Sequence, residues 1–466
     1  MGEENEGLDF NSVIFRAYDI RGVFGEELSC EVVYEIARAI GTIARKKKQK
    51  NIIVGRDGRI SSPELHQVLI NGLRGTGINI IDIGIVPTPA TYFASYHLQA
   101  NNCVMITGSH NAAEYNGLKT VIANNSLSGI GIQEIRQYLI SKEYEVGQGT
   151  LQQKDISTDY IQRILSGVNI AGKTPLKIVV DCGNGSAGEI APKLFDALNC
   201  NAVMMFPEID GSFPNHHPDP SQPENLKDLM DKVKEEKADI GFAFDGDGDR
   251  LGVIDADGNI IWPDRQLMLL AKDVLSRNKG SHIIFDVKCT RHLKSIIESN
   301  NGRALMWKTG HSFIKHKMNE VNAPLAGEMS GHIFFKERWY GFDDALYTAA
   351  RFIEIFSNSK KTPTELFAEL PCGVSTPELR MSLVENEHTN FMKEFSDNIF
   401  TLNADIIDID GLRAEYNDGW GLVRPSNTSP YIIFRFEGDT ALALKRIKSE
   451  FRRIVRLIKP TADIPF

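Results

Sequence analysis

The sequence predicts an α/β fold: three similar α/β domains with mixed, mostly parallel sheets, followed by a C-terminal α+β domain. Three observations predict it. An apolar strand ending in a turn recurs at residues 51–58, 177–183 and 282–288. Each copy is followed by a helix-like stretch and two further short apolar runs. From about Cys372 the pattern gives way to alternating strand signals and a basic terminal helix. Strands alternating with helices at this spacing build parallel sheets, and a change of pattern marks a different domain.

Each element can be placed in order. In the first unit the runs are 51–58, 78–85 and 103–106. In the second they are 177–183, 202–206 and 240–244, and in the third 282–288, 304–307 and 323–326. The final unit shows strand patterns at 380–384 and 431–436. Polar, Gly- or Pro-bearing sequence near Lys154, Gly258 and Pro371 sets the expected domains at 1–154, 155–258, 259–371 and 372–466. A chain of 466 residues has room for about three or four domains.

Bulk properties narrow the function. Apolar residues make up 42% and charged residues 24%, as in a soluble globular protein. A net charge of −9 argues against a nucleic-acid partner. The basic run Arg45-Lys46-Lys47-Lys48 reads as a solvated helix terminus favoured by the macrodipole. The start is acidic and lacks an apolar signal core, and no apolar run approaches the ~20 residues that cross a bilayer. Six cysteines without paired spacing point to reduced thiols and a cytoplasmic location.

Ligands in such sheets sit beyond the carboxyl ends of strands, so the loops after the third runs carry the chemistry. They read Thr107-Gly108-Ser109-His110-Asn111, Asp245-Gly246-Asp247-Gly248-Asp249-Arg250 and Gly327-Glu328-Met329-Ser330-Gly331-His332. Three crowded carboxylates repel one another unless a cation neutralises them, and hard oxygen ligands suit Mg²⁺ or Ca²⁺. A solvated acidic turn is the competing reading. An EF-hand fails on spacing, because Arg250 and Ala256 fall where Gly and Glu belong. Ser109 does not fit a nucleophile elbow, and His110, as its immediate neighbour, is poorly placed as its base. A serine near a metal loop points instead to phosphoryl transfer. In the last unit Arg424-Pro425-Ser426-Asn427-Thr428-Ser429-Pro430 combines one guanidinium with hydroxyls and an amide, either a phosphate clamp or ordinary turn chemistry.

Three further patterns mislead. Residues 167–174 fit the P-loop pattern but precede a strand instead of following one. Gly183-Asn184-Gly185-Ser186-Ala187-Gly188 fits the dinucleotide fingerprint, and Glu208 lies at a suitable distance. Yet Asp181 at the strand end would repel a pyrophosphate, so a tight strand-to-helix turn is the simpler reading. His216-His217 lies in Pro-rich sequence and reads as a surface loop rather than a metal pair.

These motifs, in this order, together resemble the α-D-phosphohexomutase superfamily, and most closely its bacterial phosphomannomutase/phosphoglucomutases. The resemblance also takes in residues 15–22, 285–291 and 334–339, so it runs nearly end to end. It implies four domains around a deep central cleft, carrying in turn phosphoserine, metal, sugar and phosphate sites. It implies a mutase interconverting hexose 1- and 6-phosphates, of mannose and glucose, through a hexose 1,6-bisphosphate. Ser109 is then the phosphorylated serine, and Asp245, Asp247 and Asp249 bind Mg²⁺ together with a phosphoserine oxygen. Glu328 and Ser330 contact sugar hydroxyls. Arg424, Ser426, Asn427 and Thr428 hold the non-reacting phosphate. Tyr18, Arg21, Lys119, Arg250, Lys288, His311 and His332 line the cleft, with Arg21, Lys119 and His332 the candidates for proton handling. Glucose 1,6-bisphosphate is implied as activator, a phosphosugar as the only partner, and a monomer as the assembly. One departure is Ala112-Ala113, where the family often has Pro after the loop Asn. The rival readings are a glucosamine-directed mutase of the same superfamily and a dinucleotide-binding oxidoreductase built on Gly183 to Gly188.

Overall fold

A computed structural model describes residues 12–171, 175–383, 387–426 and 431–466. Asn427 and Thr428 of the expected clamp, and Gly172, Lys173 and Thr174 of the P-loop pattern, lie outside them.

The three repeated units each form a separate sheet with the same parallel core. In the first, Asn51–Arg56 lies between Asn79–Ile85 and Cys103–Ile106, all parallel. In the second, Lys177–Asp181 lies between Asn201–Met205 and Ile240–Phe244. In the third, His282–Asp286 lies between Arg303–Trp307 and Leu325–Gly327. Apolar residues occupy both faces of the central strands because helices cover both sides.

Each unit then adds a strand that the sequence pattern did not reveal. Tyr115–Ile122, Leu251–Asp255 and Ile333–Phe335 return antiparallel beside the third parallel strand. The three polar loops are therefore hairpin connections, not strand-to-helix turns. Consequently no helix N-terminus aims its dipole from them, and anion affinity there must come from side chains. A bridge between Arg250 and His332 ties the second hairpin loop to the third.

Packing fixes the units against one another. One apolar core runs from Ile53 and Phe93 of the first unit through Phe195 and Phe242 of the second to Leu267 and Phe335 of the third. Burying each such side chain stabilises the fold by ~1.5–3 kcal/mol. The helix Cys30–Lys46 buries one face and ends at Arg45 and Lys46, so the basic run is a helix terminus.

The fourth unit is an antiparallel sheet carrying the helices Glu387–Ile399 and Ala441–Ile458, with its own core around Phe434 and Phe451. It docks on the third unit through Arg413, whose Nη1 donates to the carbonyls of Val287 at 2.6 Å and Cys289 at 2.7 Å. Among the described residues all six cysteines are free, and no helix is long and apolar enough to cross a membrane.

The dinucleotide reading does not survive the packing. A Cβ on Gly185 would lie 2.8 Å from the Gly246 carbonyl oxygen, and one on Gly188 2.0 Å from that of Pro207. These glycines let the Asp-Gly loop and residue 207 fill the space that a pyrophosphate would need. Asp181 is also engaged, 2.8 Å from His216 Nε2. His216 is thus a packed partner of Asp181 rather than a residue of a free surface loop.

Candidate active site

The four units enclose a cleft of about 800 Å³, lined by Ser109 from the first, Arg250 from the second, Glu328 from the third and Arg424 from the fourth. Tyr18, Arg21, Lys119, Lys288, His311, Ser330, His332 and Ser426 line it too.

Ser109 sits at the head of the first hairpin loop in a left-handed conformation, φ 49°. A non-glycine residue there costs ~1–3 kcal/mol and persists only when its surroundings impose it. They do so here: Ser109 N donates to Thr107 Oγ1 at 2.8 Å, and Ser109 O accepts from Arg59 Nη2 at 2.8 Å. The turn aims Ser109 Oγ at Asp245 Oδ2, 3.0 Å away. It also brings His110 Nδ1 to 3.2 Å of Oγ, a contact that adjacency in sequence had argued against. Burial, and then the charges of Arg250 and Arg21, push the His110 ring well below its usual range, so it is neutral at pH 7. At Ala112, where the resemblance leads one to expect Pro nearby, the carbonyl is taken by Arg59 Nη1 at 2.5 Å.

Asp245, Asp247 and Asp249 are fully buried behind Ser109. Their ligand oxygens lie within 4.8 Å of one another. Lys119 Nζ reaches Asp247 Oδ2 at 2.7 Å and Asp249 Oδ2 at 2.5 Å. Burial works against the ammonium charge, but these two carboxylates hold it above the ordinary lysine range. Asp247 is held below the carboxylate range by Lys119, against the effect of burial. Asp245 is driven well above it by burial and by Asp247 and Asp249. Asp247 Oδ1 and Asp249 Oδ1 remain buried without a hydrogen-bond partner. Unsatisfied hard oxygens on crowded carboxylates fit a small divalent cation. Thr88, a residue the motifs did not flag, locks the loop: its Oγ1 donates to Asp247 Oδ2 at 2.5 Å and its N to Asp247 O at 2.8 Å.

His332 Nε2 accepts from Arg250 Nε at 3.0 Å. Arginine can only donate, so the ring proton sits on Nδ1, which faces Asp343 Oδ2 at 3.0 Å and Asp249 Oδ1 at 3.4 Å. Asp343, also missed in the sequence, pairs with Lys315 at 3.1 Å. Arg21 donates to Asn111 Oδ1 at 2.6 Å and Asp19 Oδ2 at 2.5 Å. The His311 ring is pushed well below its usual range by burial and by Lys315, and neither nitrogen has a hydrogen-bond partner.

On the wall formed by the third unit Glu328 Oε1 accepts from Gly310 N at 2.5 Å. At the far wall Arg424 pairs with Asp410 at 3.1 Å and Lys288 with Glu378 at 2.6 Å. Asp410 and Glu378 carried no motif; their roles depend on chain segments that meet only in the fold.

Comparison with known proteins agrees with the geometry. Four family models match in order: phosphoglucomutase/phosphomannomutase alpha/beta/alpha domain I at residues 12–145, domain II at 158–258, domain III at 262–372 and the C-terminal domain at 383–454. The chain is 51% identical over 453 residues to a phosphomannomutase/phosphoglucomutase of Pseudomonas putida, covering 97% of each chain. It is 49% identical over 453 residues to that of Pseudomonas aeruginosa, again covering 97% of each. A phosphoglucomutase/phosphomannomutase family protein from Burkholderia thailandensis superposes with a TM-score of 0.93 at 48% identity, over 98% of this chain and 100% of that one.

Proposed function

The chain belongs to the phosphoglucomutase/phosphomannomutase family, and on that premise we propose how its cleft interconverts hexose 1-phosphates and hexose 6-phosphates of mannose and glucose. Phosphorylated Ser109 gives its phosphoryl group to the free hydroxyl of a hexose monophosphate. The resulting hexose 1,6-bisphosphate turns round in the cleft, and its other phosphate returns to Ser109. Glucose 1,6-bisphosphate would prime a chain whose serine is free. In this reading residues 1–154 carry the phosphoserine, 155–258 the metal loop, 259–371 the sugar site and 372–466 the phosphate clamp.

The observation that carries the reading is Ser109 Oγ, 3.0 Å from Asp245 in a loop whose carboxylates fit a cation. Asp245, Asp247, Asp249 and a phosphoserine oxygen would hold Mg²⁺, which when bound neutralises charge on the transferred phosphoryl group. Lys119 keeps Asp247 and Asp249 in place and, firmly charged, serves as a donor and not as a base. Arg21 is a permanent cation fixed to the Ser109 loop through Asn111. His332 Nε2 carries no proton but accepts from Arg250 Nε, so His332 takes the hydroxyl proton only once substrate binding opens that contact. Glu328 and Ser330 orient the sugar. Arg424 and Ser426, with Asn427 and Thr428, hold the phosphate that is not reacting. Closure of the cleft keeps the bisphosphate in and water out.

The relatives at about half identity are named for mannose and glucose, which leaves the glucosamine-directed alternative without support. Peptide mass spectrometry after incubation with glucose 1,6-bisphosphate and Mg²⁺ should find phosphate at Ser109. Full activity in Ser109→Ala, or phosphate only at other residues, would overturn the mechanism.

A further inference from the structure

Beneath the Ser109 loop lies Arg59, whose side chain is wholly buried. Its Nη2 donates to Ser109 O at 2.8 Å and Asn111 O at 2.6 Å. Its Nη1 donates to Ala112 O at 2.5 Å and Tyr115 O at 3.0 Å. One guanidinium thus gathers four carbonyls of a single loop. Only arginine offers enough donors in a rigid plane for this. Arg59 Nε lies 3.2 Å from Asp57 Oδ2, and that oxygen also accepts from Gly108 N at 3.3 Å. A Cβ at Gly108 would lie 2.5 Å from Arg59 Cζ, so the residue before Ser109 must be glycine for the guanidinium to fit. The second unit seals the site from outside, with the Phe213 ring 5.2 Å from the guanidinium carbon.

Two consequences follow for a phosphoryl group on Ser109. The loop carbonyls point at Arg59, so their negative ends are occupied when two further negative charges arrive. In addition, a buried, permanent positive charge stands behind the serine, where low polarisability strengthens it. The left-handed backbone at Ser109, which aims Oγ at Asp245, is held partly by the same guanidinium. We propose that Arg59 is a positioning residue for phosphoryl transfer: it fixes the Ser109 loop in its transferring conformation and supplies fixed charge beneath the phosphoserine, without touching the sugar. The inference rests on Ser109 being the phosphoryl carrier.

The test uses the full chain with Mg²⁺, as wild type, Arg59→Lys and Arg59→Met. Circular dichroism and thermal melting report folding. Active-site titration with glucose 1,6-bisphosphate counts competent sites, and calorimetry gives the Kd for glucose 6-phosphate. Arg59→Lys keeps the charge but loses the fork. It should bind glucose 6-phosphate within about threefold of wild type while kcat per competent site falls at least about tenfold, because misorientation is costly only in the transition state. Arg59→Met, where it folds, should fall further. A purely structural role would reduce the number of competent sites and leave kcat per site unchanged. Arg59→Lys with kcat per site within about twofold of wild type, or with only KM altered, would overturn the proposal. Wild type carrying no phosphate at Ser109 would instead overturn the phosphoserine reading itself, a separable result.

Discussion

Glu328 is 2% exposed, and its carboxyl is pushed up from 4.5 to about 7, first by burial and further by Asp286, against the opposing pull of His332. Between these two values the folded chain holds a proton that the unfolded chain has lost. Stability from this group therefore falls as pH rises through that window and stays low above about 7. Glu328→Gln, which removes the titration, should raise the Tm at pH 8 relative to wild type and change it little near pH 4. Melting curves across that range check this; a lower Tm for the variant at pH 8 would show that a charged Glu328 is stabilised in the fold. Residues of this kind were partly legible in the sequence. Ser109, Asp245 and Glu328 stood in polar loops at predictable strand ends. Arg59 and Thr88 did not, because each acts on a partner distant in the chain, Arg59 on residues 109–115 and Thr88 on Asp247; Asp343 lies near its partner His332 but stands in no motif.

The unit of design at the next scale is the hairpin loop. The three parallel strands of each unit were readable as apolar runs, but the returning strands were not. Leu251–Asp255 follows the Asp-Gly loop at once, and Ile333–Phe335 is only three residues long. Those two returns are short, and in the longer Tyr115–Ile122 the polar Asn116, Lys119 and Thr120 and the glycine Gly117 break up the apolar run. Their pairing decides where the loop carboxylates point, since Phe244 lies opposite Leu251 and closes Asp245 to Arg250 into one turn. Within that turn Lys119 satisfies one oxygen of Asp247 and one of Asp249, and their other oxygens are left without partners. Asp247→Asn removes the charge that pairs with Lys119 and leaves one amide oxygen to serve the cation, Lys119 and Thr88. It should lower kcat at least about tenfold, a loss of ~1.4 kcal/mol of transition-state stabilisation. Steady-state kinetics test this beside exhaustive chelation of the wild type; activity that survives chelation would remove the metal from the mechanism.

At the scale of the whole molecule, four sheets surround one cleft, and the substrate must occupy it in two flipped orientations. A site that serves both ends of a sugar must read features that survive the flip. In the reading proposed above, Glu328 and Ser330 reach the 3- and 4-hydroxyls, which mannose and glucose share, whereas the two sugars differ at C2. Rejecting one epimer strongly would require a buried polar group matched to the C2 hydroxyl and left unpaired with the wrong sugar. Glu328, the buried carboxylate of the third hairpin loop, already accepts from Gly310 N, and the charged groups Lys288 and Arg424 are paired to Glu378 and Asp410. None of these is committed to C2. The kcat/KM values for mannose 1-phosphate and glucose 1-phosphate should therefore lie within about 100-fold of each other, or ~2.7 kcal/mol. A coupled assay with both sugars measures the ratio directly. A larger ratio would mean that another cleft residue reads C2, and that the enzyme serves a single sugar.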